Sequence, residues 1–217
     1  MVKYLLFFMA LSLASAGFSQ DLKGKSVITA SLGGGSINRS TSSSEQNGIE
    51  VSAYSSFGFS LSPQITYGKV NSNNLLFSYG LQLGYDYGRT KERGEVTSRA
   101  KGYNLGPVLG LQKFFYVGEN IYYAPSGYLQ GGYGWSENRF SQDKSRGWNV
   151  GAGLNPLSLA FRVRPKANLL FRAGVLSVHY NQGVQKNTSA GTTRIESSLL
   201  ALYAGFNNFN IGYQIIL

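Results

Sequence analysis

The sequence predicts an all-β chain folded as a closed antiparallel up-and-down barrel, and three observations carry the prediction. Large apolar side chains alternate with small or polar ones along most of the chain, the period-two signature of strands with two unlike faces. The patterned stretches are separated by polar, turn-prone segments that alternate between long and short. In the last stretch Phe209, Ile211, Tyr213, Ile215 and Leu217 share one face and Asn210, Gly212 and Gln214 the other, with only Ile216 out of pattern.

Residues 1–19 read as a signal peptide. Lys3 is the positive n-region, Tyr4 to Leu13 the apolar h-region, and Ala14, Ser15 and Ala16 a small-residue cleavage site. The cut is expected after about residue 16 to 19, the later choice lying just before Gln20. The apolar run is shorter than the ~20 residues a spanning helix needs. Residues 20–217 then form one exported domain.

The strands follow in order. Ser26 to Asn38 is weakly patterned. In the next, Ile49, Val51, Phe57, Phe59, Leu61, Ile65 and Tyr67 alternate with Glu50, Ser52, Gly58, Ser60, Ser62, Thr66 and Gly68. Leu75 to Arg89 is the clearest: Phe77, Tyr79, Leu81, Leu83, Tyr85 and Tyr87 face one way, and Ser78, Gly80, Gln82, Gly84 and Asp86 the other, with Leu76 the exception. Tyr103 to Gln112 and Ile121 to Trp135 keep the same phase. Trp148 to Leu154 runs into Pro156, after which Leu157, Leu159, Phe161 and Val163 take over, so a bulge or kink is expected there. Leu169 to Tyr180 is apolar on both faces, and its orientation stays open. Ile195 to Leu217 reads as one long strand disturbed at Asn207 and Asn208.

Short turns are expected at Asn71 to Asn74, Gly118 to Asn120 and Arg164 to Asn168, all turn-prone by composition. Long polar loops are expected at Arg39 to Gly48, Arg89 to Arg99, Glu137 to Arg146 and Asn181 to Arg194. These connections give eight strands; a tight hairpin at Asn207–Asn208 would break the even count, and ten strands are the alternative. The small and polar face is too thin to build a core against, so the apolar face points to lipid. Backbone groups in lipid must all be paired, which requires the sheet to close.

Composition agrees. The chain has 28 Gly, 15 Tyr and 13 Phe, fitting a wall with small inward residues and aromatic girdles at headgroup level. With no Cys and one His, a disulfide framework, a thiolate site and a multi-histidine metal site are excluded, and no cofactor is expected. The formal charge is +10, or +9 once Lys3 is removed. It suits either a solvated loop surface or contact with anionic headgroups and lipopolysaccharide phosphates. No basic-aromatic pattern looks like a nucleic-acid module.

The signal peptide, the alternating strands and the Phe209–Leu217 strand together resemble the family of small, eight-stranded, porin-like barrels of the bacterial outer membrane. The resemblance implies periplasmic termini, extracellular long loops and biogenesis by the barrel-assembly machinery. Phe209, Ile211, Tyr213, Ile215 and Leu217 would be the assembly signal. Family members often end in Phe or Trp; this chain ends in Leu217.

Candidate functional residues fall into three groups. Glu50, Asp86, Arg162, Arg172 and Glu196 occupy expected inward positions. A lipid-facing Arg at depth costs ~2–4 kcal/mol, which argues that Arg172 turns inward. These charges either pair into a plug or line a narrow water path; an eight-stranded interior is just wide enough for side chains to fill, which favours the plug. The segment Arg89 to Lys101 carries Arg89, Lys91, Arg93, Arg99 and Lys101 against Glu92 and Glu95, and reads as a lipopolysaccharide-phosphate patch or a solvated loop. His179 is the sole candidate base for lipid A-modifying chemistry of the kind some such barrels perform, with Ser177 and Glu196 as conceivable partners. The leading expectation is a non-enzymatic structural or interaction barrel. A narrow channel is the alternative, and the enzyme comes third.

Overall fold

The structure, a computed structural model, describes residues 22–46, 49–141, 143–187 and 193–217. The expected signal peptide, 1–19, lies outside the described residues. Eleven strands are described: β1 (Ser26–Gln46), β2 (Ile49–Val70), β3 (Leu75–Glu92), β4 (Glu95–Lys113), β5 (Phe115–Gly118), β6 (Ile121–Tyr123), β7 (Ser126–Asn138), β8 (Lys144–Asn155), β9 (Leu157–Arg164), β10 (Ala167–Asn187) and β11 (Thr193–Ile216).

All belong to one antiparallel sheet. β1, β2, β3, β4, β7, β8, β10 and β11 pair in that order, and β11 pairs again with β1. β10 serves two partners on one edge: Leu176–Lys186 faces β8, and Ala167–Ala173 faces β9. β9 in turn pairs with β6, and β6 with β5. The breaks β4/β5, β6/β7 and β8/β9 fall at Phe114, at Ala124 with Pro125, and at Pro156. Proline lacks the N–H a ladder needs, which accounts for the second and third. The wall changes phase at Pro156: Leu154 faces outward before it, Leu157 after it, and Ser158 is fully buried.

The short turns lie where expected. Asn71 Oδ1 accepts hydrogen bonds from the backbone N–H of Asn73 (2.9 Å) and Leu75 (3.1 Å), an Asx-type closure, with Asn74 at φ 54°. Three of the expected long loops are instead mostly strand, and this corrects the sequence reading. β1 continues to Gln46, β3 reaches Glu92, and β4 starts at Glu95. Arg93 and Gly94, at φ 49° and 86°, make the two-residue turn between them, as a type I′ hairpin demands. In the fourth, Asn181 to Asn187 is also strand, while residues 188–192 lie outside the described set. Strand pairing needs only backbone partners, so stretches polar on both faces pair as well as alternating ones. Ser40 and Ser56 hydroxyls meet at 2.7 Å, and the Tyr54 hydroxyl donates to Glu92 Oε1 at 3.0 Å. β11 runs unbroken through Asn207–Asn208, with a register shift against β10 at Gly174/Leu176. The alternative hairpin at that point is not formed.

The faces of the sheet are inverted relative to a water-soluble fold. Phe77, Tyr79, Leu81 and Leu83 on β3 are each more than half exposed, while their neighbours Leu76 and Ser78 are buried. The buried apolar residues gather at the short-turn end. Val27, Val70, Leu76, Phe114, Tyr122, Ala124, Ala160, Leu170 and Ile216 form one cluster there, joined by Leu22. Phe114 and Tyr122 meet edge to face at 6.2 Å. Gly24 N–H to Val70 O and Leu217 N–H to Ser26 O, both 2.9 Å, tie the two ends of the described chain to this rim.

The ladder between first and last strands is short. It runs from Val27↔Ile216 to Gly33↔Asn210. Above Gly33, β1 keeps its pairing with β2, and above Asn210, β11 keeps its pairing with β10.

Candidate functional site

Two arrangements gather the polar and charged residues. The first is interior. Directly above the apolar cluster, Gln112 Oε1 on β4 accepts from Arg172 Nη2 on β10 (3.1 Å) and from Gln214 Nε2 on β11 (3.1 Å). Gln214 Nε2 also reaches Thr29 Oγ1 on β1 at 3.2 Å, and Gln112 Nε2 donates to the Ala124 carbonyl at 3.4 Å. β4 is not a neighbour of β10 or β11 in the sheet. These bonds therefore reach across the inner face between strands that are not sheet neighbours, and small or polar inward side chains are what leave room for them. Above the network is a cavity of about 220 Å³, lined among others by Gln64, Ser78, Gln82, Gln130, His179 and Asn210.

Arg172 turns inward because an outward guanidinium would sit in the apolar band. Arg162 lies lower: it donates to the Tyr122 hydroxyl and its guanidinium stacks 5.3 Å from that ring, beside the apolar cluster. Asp86 shares its face with Gly102 and Ser136 near the hairpin end. Ten residues of β4 separate its register partner Gly102 from Gln112, about 33 Å of strand. Glu50 pairs across to Glu45 near the tip of the first hairpin, and Glu196 is opposite Val184; their side chains are outside the described set. Among the described residues the cations Arg162 and Arg172 sit low and Asp86 sits high, and apolar side chains fill the short-turn end.

His179 belongs to the cavity rather than to an outer rim. Its register partner is Ala201, five residues along β11 from Glu196, or about 16 Å. The backbone of Glu196 therefore stands well along the strand from His179. Ser177 lies two positions lower on the same face and is buried. Among the described residues, no carboxylate lines this cavity.

The second arrangement is an outward collar. Phe59, Tyr85, Tyr103 and Trp135 form a ladder of ring contacts across β2, β3, β4 and β7, with centroids 6.4, 5.4 and 5.7 Å apart. Trp148 and Tyr180 continue it at 5.3 Å, and Phe57 with Tyr87 lies one step above at 6.4 Å. Immediately above on the same face, register rows join Tyr87 to Lys101 and Glu137, and Arg89 to Arg99. The Arg139 N–H donates to the Arg99 carbonyl at 2.9 Å, which brings in the next connection. Arg99, Lys101, Arg139 and Lys144, with Glu137 and Asn138, line a surface pocket of about 370 Å³. Arg146 pairs with Trp135 beside it.

Of the sequence candidates, Arg89, Arg99 and Lys101 come together here, while Arg93 is at the hairpin tip and Lys91 lies past a bulge. Arg139, Lys144 and Arg146 were missed because they fell in an expected loop. The signal for them was the phase of Trp135 and Trp148, which carries straight through to 137, 139, 144 and 146. Tyr54, nearer the hairpin tips, is held above the ordinary phenol range by its hydrogen bond to Glu92. In the final strand Phe209, Ile211, Tyr213, Ile215 and Leu217 are all exposed on the outward face, and Gly212, Gln214 and Ile216 are buried.

No family model matches the chain, and no curated protein matches it by sequence. Among solved structures, it is similar to the outer membrane protein OprG of Pseudomonas aeruginosa, with 12% identity and a TM-score of 0.44 over 90% of this chain and 96% of that one. It is similar to a major outer membrane protein of Thermus thermophilus, with 11% identity and a TM-score of 0.41 over 88% and 99%. A third likeness is to Neisserial surface protein A, at 16% identity and a TM-score of 0.34 over 88% and 96%.

Proposed function

We propose that this chain is an integral β-barrel of the bacterial outer membrane, closed and sealed, with a structural or interaction role rather than a catalytic one. The β4/β5, β6/β7 and β8/β9 pairs count as three kinked staves, which makes eight staves in a closed ring. The exposed apolar face has the height of a membrane. From Phe77 to Tyr87 is ten residues, about 33 Å of strand, or about 25 Å along the axis at a tilt of about 40°. Aromatic residues crown that band, as at a membrane–water interface. On this reading residues 1–19 are a removed export signal, the termini and short turns are periplasmic, the hairpin tips are extracellular, and Phe209 to Leu217 is read by the barrel-assembly machinery.

The observation that carries the sealed reading is the apolar cluster of Val27, Leu76, Phe114, Tyr122, Leu170 and Ile216 across the short-turn end. A water path through it would have to hydrate a close-packed apolar layer. Planar-bilayer recording of refolded protein, with a heat-induced gel-mobility shift to establish folding, is the test. A folded barrel is expected to be electrically silent. Discrete, reproducible conductance steps would overturn the sealed reading in favour of a narrow channel.

The collar supplies the interaction. Basic residues just above an aromatic girdle stand at the level of outer-leaflet headgroups, and Arg can grip phosphate with two parallel hydrogen bonds. The partner this supports is the phosphorylated lipid A portion of lipopolysaccharide.

A further inference from the structure

The Arg172 guanidinium is an interior cation with no carboxylate near it among the described residues. There, only Gln112 Oε1 is within hydrogen-bond distance of it, through Nη2, and its Nε is buried without a partner. Gln112 cannot do more: its oxygen already takes a second hydrogen bond, from Gln214, and its amide is spent on the Ala124 carbonyl. The acid on the same inward face, Asp86, is about 33 Å of strand away. A charge removed from bulk water is costly unless it is paired and hydrogen-bonded. The cavity above Arg172 offers side-chain amides, hydroxyls and His179, and no carboxylate among the described residues.

We propose that this cavity is a binding site for a small inorganic oxyanion, held by Arg172 at its floor and entered from the hairpin side. The volume selects the class. About 220 Å³ is below the usual 300–1,000 Å³ of organic-ligand pockets and takes a tetrahedral anion with a few waters. The apolar cluster below closes the other route. The planar guanidinium provides a fork of donors of which one is committed to Gln112. Ser78, Gln82 and Gln130 are positioned along the wall to complete the shell. The proposal rests on the sealed reading of the interior only for its direction of entry, so binding and conductance are separately testable.

The test is titration of refolded full-length protein in detergent with inorganic phosphate, followed calorimetrically and by 31P line broadening. Saturable binding near one phosphate per chain is expected. Arg172→Gln should weaken it at least tenfold; Arg164→Gln, exposed at a short turn and part of neither site, should leave it unchanged, and Arg99→Gln reports separately on the collar. Gln214→Glu is the second variant. It places a carboxylate where the amide now meets Gln112, giving Arg172 an internal counter-charge, and should abolish phosphate uptake. Each variant is checked for folding by the heat-induced mobility shift. Absence of saturable binding by the wild type, or equal binding by folded Arg172→Gln, overturns the proposal. Loss of binding in Arg99→Gln but not in Arg172→Gln overturns it in favour of the collar as the phosphate site.

Discussion

Tyr103 and Trp135 stack across β4 and β7 with ring centroids 5.7 Å apart and planes 23° from parallel. Their next neighbours on the same face are Lys101 and Glu137, themselves register partners. The step from ring to charge marks the border between the apolar band and the polar hairpins.

If that border is the headgroup level, reversing charge there weakens lipid A binding. A basic residue near an anionic surface contributes about 1 kcal/mol. Arg99→Glu combined with Lys101→Glu should therefore lower affinity for lipid A-containing vesicles by more than tenfold, with binding to phosphatidylcholine vesicles unchanged. An equal loss on both would mean that the variant has lost its fold or its membrane contact, not a phosphate site.

Leu170 is fully buried in the apolar layer. Leu170→Ala should cost about 2–5 kcal/mol in reversible unfolding from lipid or detergent, the usual range for a core leucine. Leu76→Gly with Leu170→Gly removes more of the layer and, on the sealed reading proposed above, should bring conductance steps that the wild type is expected to lack. A folded double variant that stays silent would place the seal elsewhere.

Glycine is required at position 106. A Cβ there would lie 1.7 Å from the Gly131 carbonyl oxygen, whereas at Gly118 it would meet nothing within 4 Å. Gly106→Ala should reduce the yield of heat-modifiable barrel sharply, and Gly118→Ala should not. Equal yields would show that β4 and β7 can part there without penalty.

The short first-to-last ladder predicts uneven protection. Amides of Val27 to Leu32 have neighbours on both edges, while Arg39 to Ser42 is paired with β2 alone. Alternate amides of the upper stretch should exchange rapidly in a hydrogen-exchange experiment, against slow exchange throughout the lower one. Uniform protection along β1 would mean that the two strands also pair above Gly33.

Much of the wall was legible in the residues because a strand in a two-faced sheet writes its environment with period two. The alternation of Phe77 to Asp86 gave both strand and orientation, and Pro156 marked the phase change. The hairpins above were misjudged for the same reason: where both faces meet water, no alternation remains to read, although the backbone pairs as before. The exceptions to the alternation were visible in the sequence without their meaning. Leu76 and Ile216 broke the pattern of their strands, and they turn out to be 2% and 6% exposed members of the layer at the short-turn end.

The sequence by itself therefore determined the local backbone state, the outward face and the places where polar turns interrupt it, since these depend on neighbours a few residues away. Only the tertiary structure decided which inward residues share a height. Leu76, Tyr122, Leu170 and Ile216 become a floor, Arg172 and Gln112 meet across sixty residues of chain, and Arg99 finds Arg139, because register between strands sets those distances. Register is fixed by the pairing of whole strands, and no single segment encodes it.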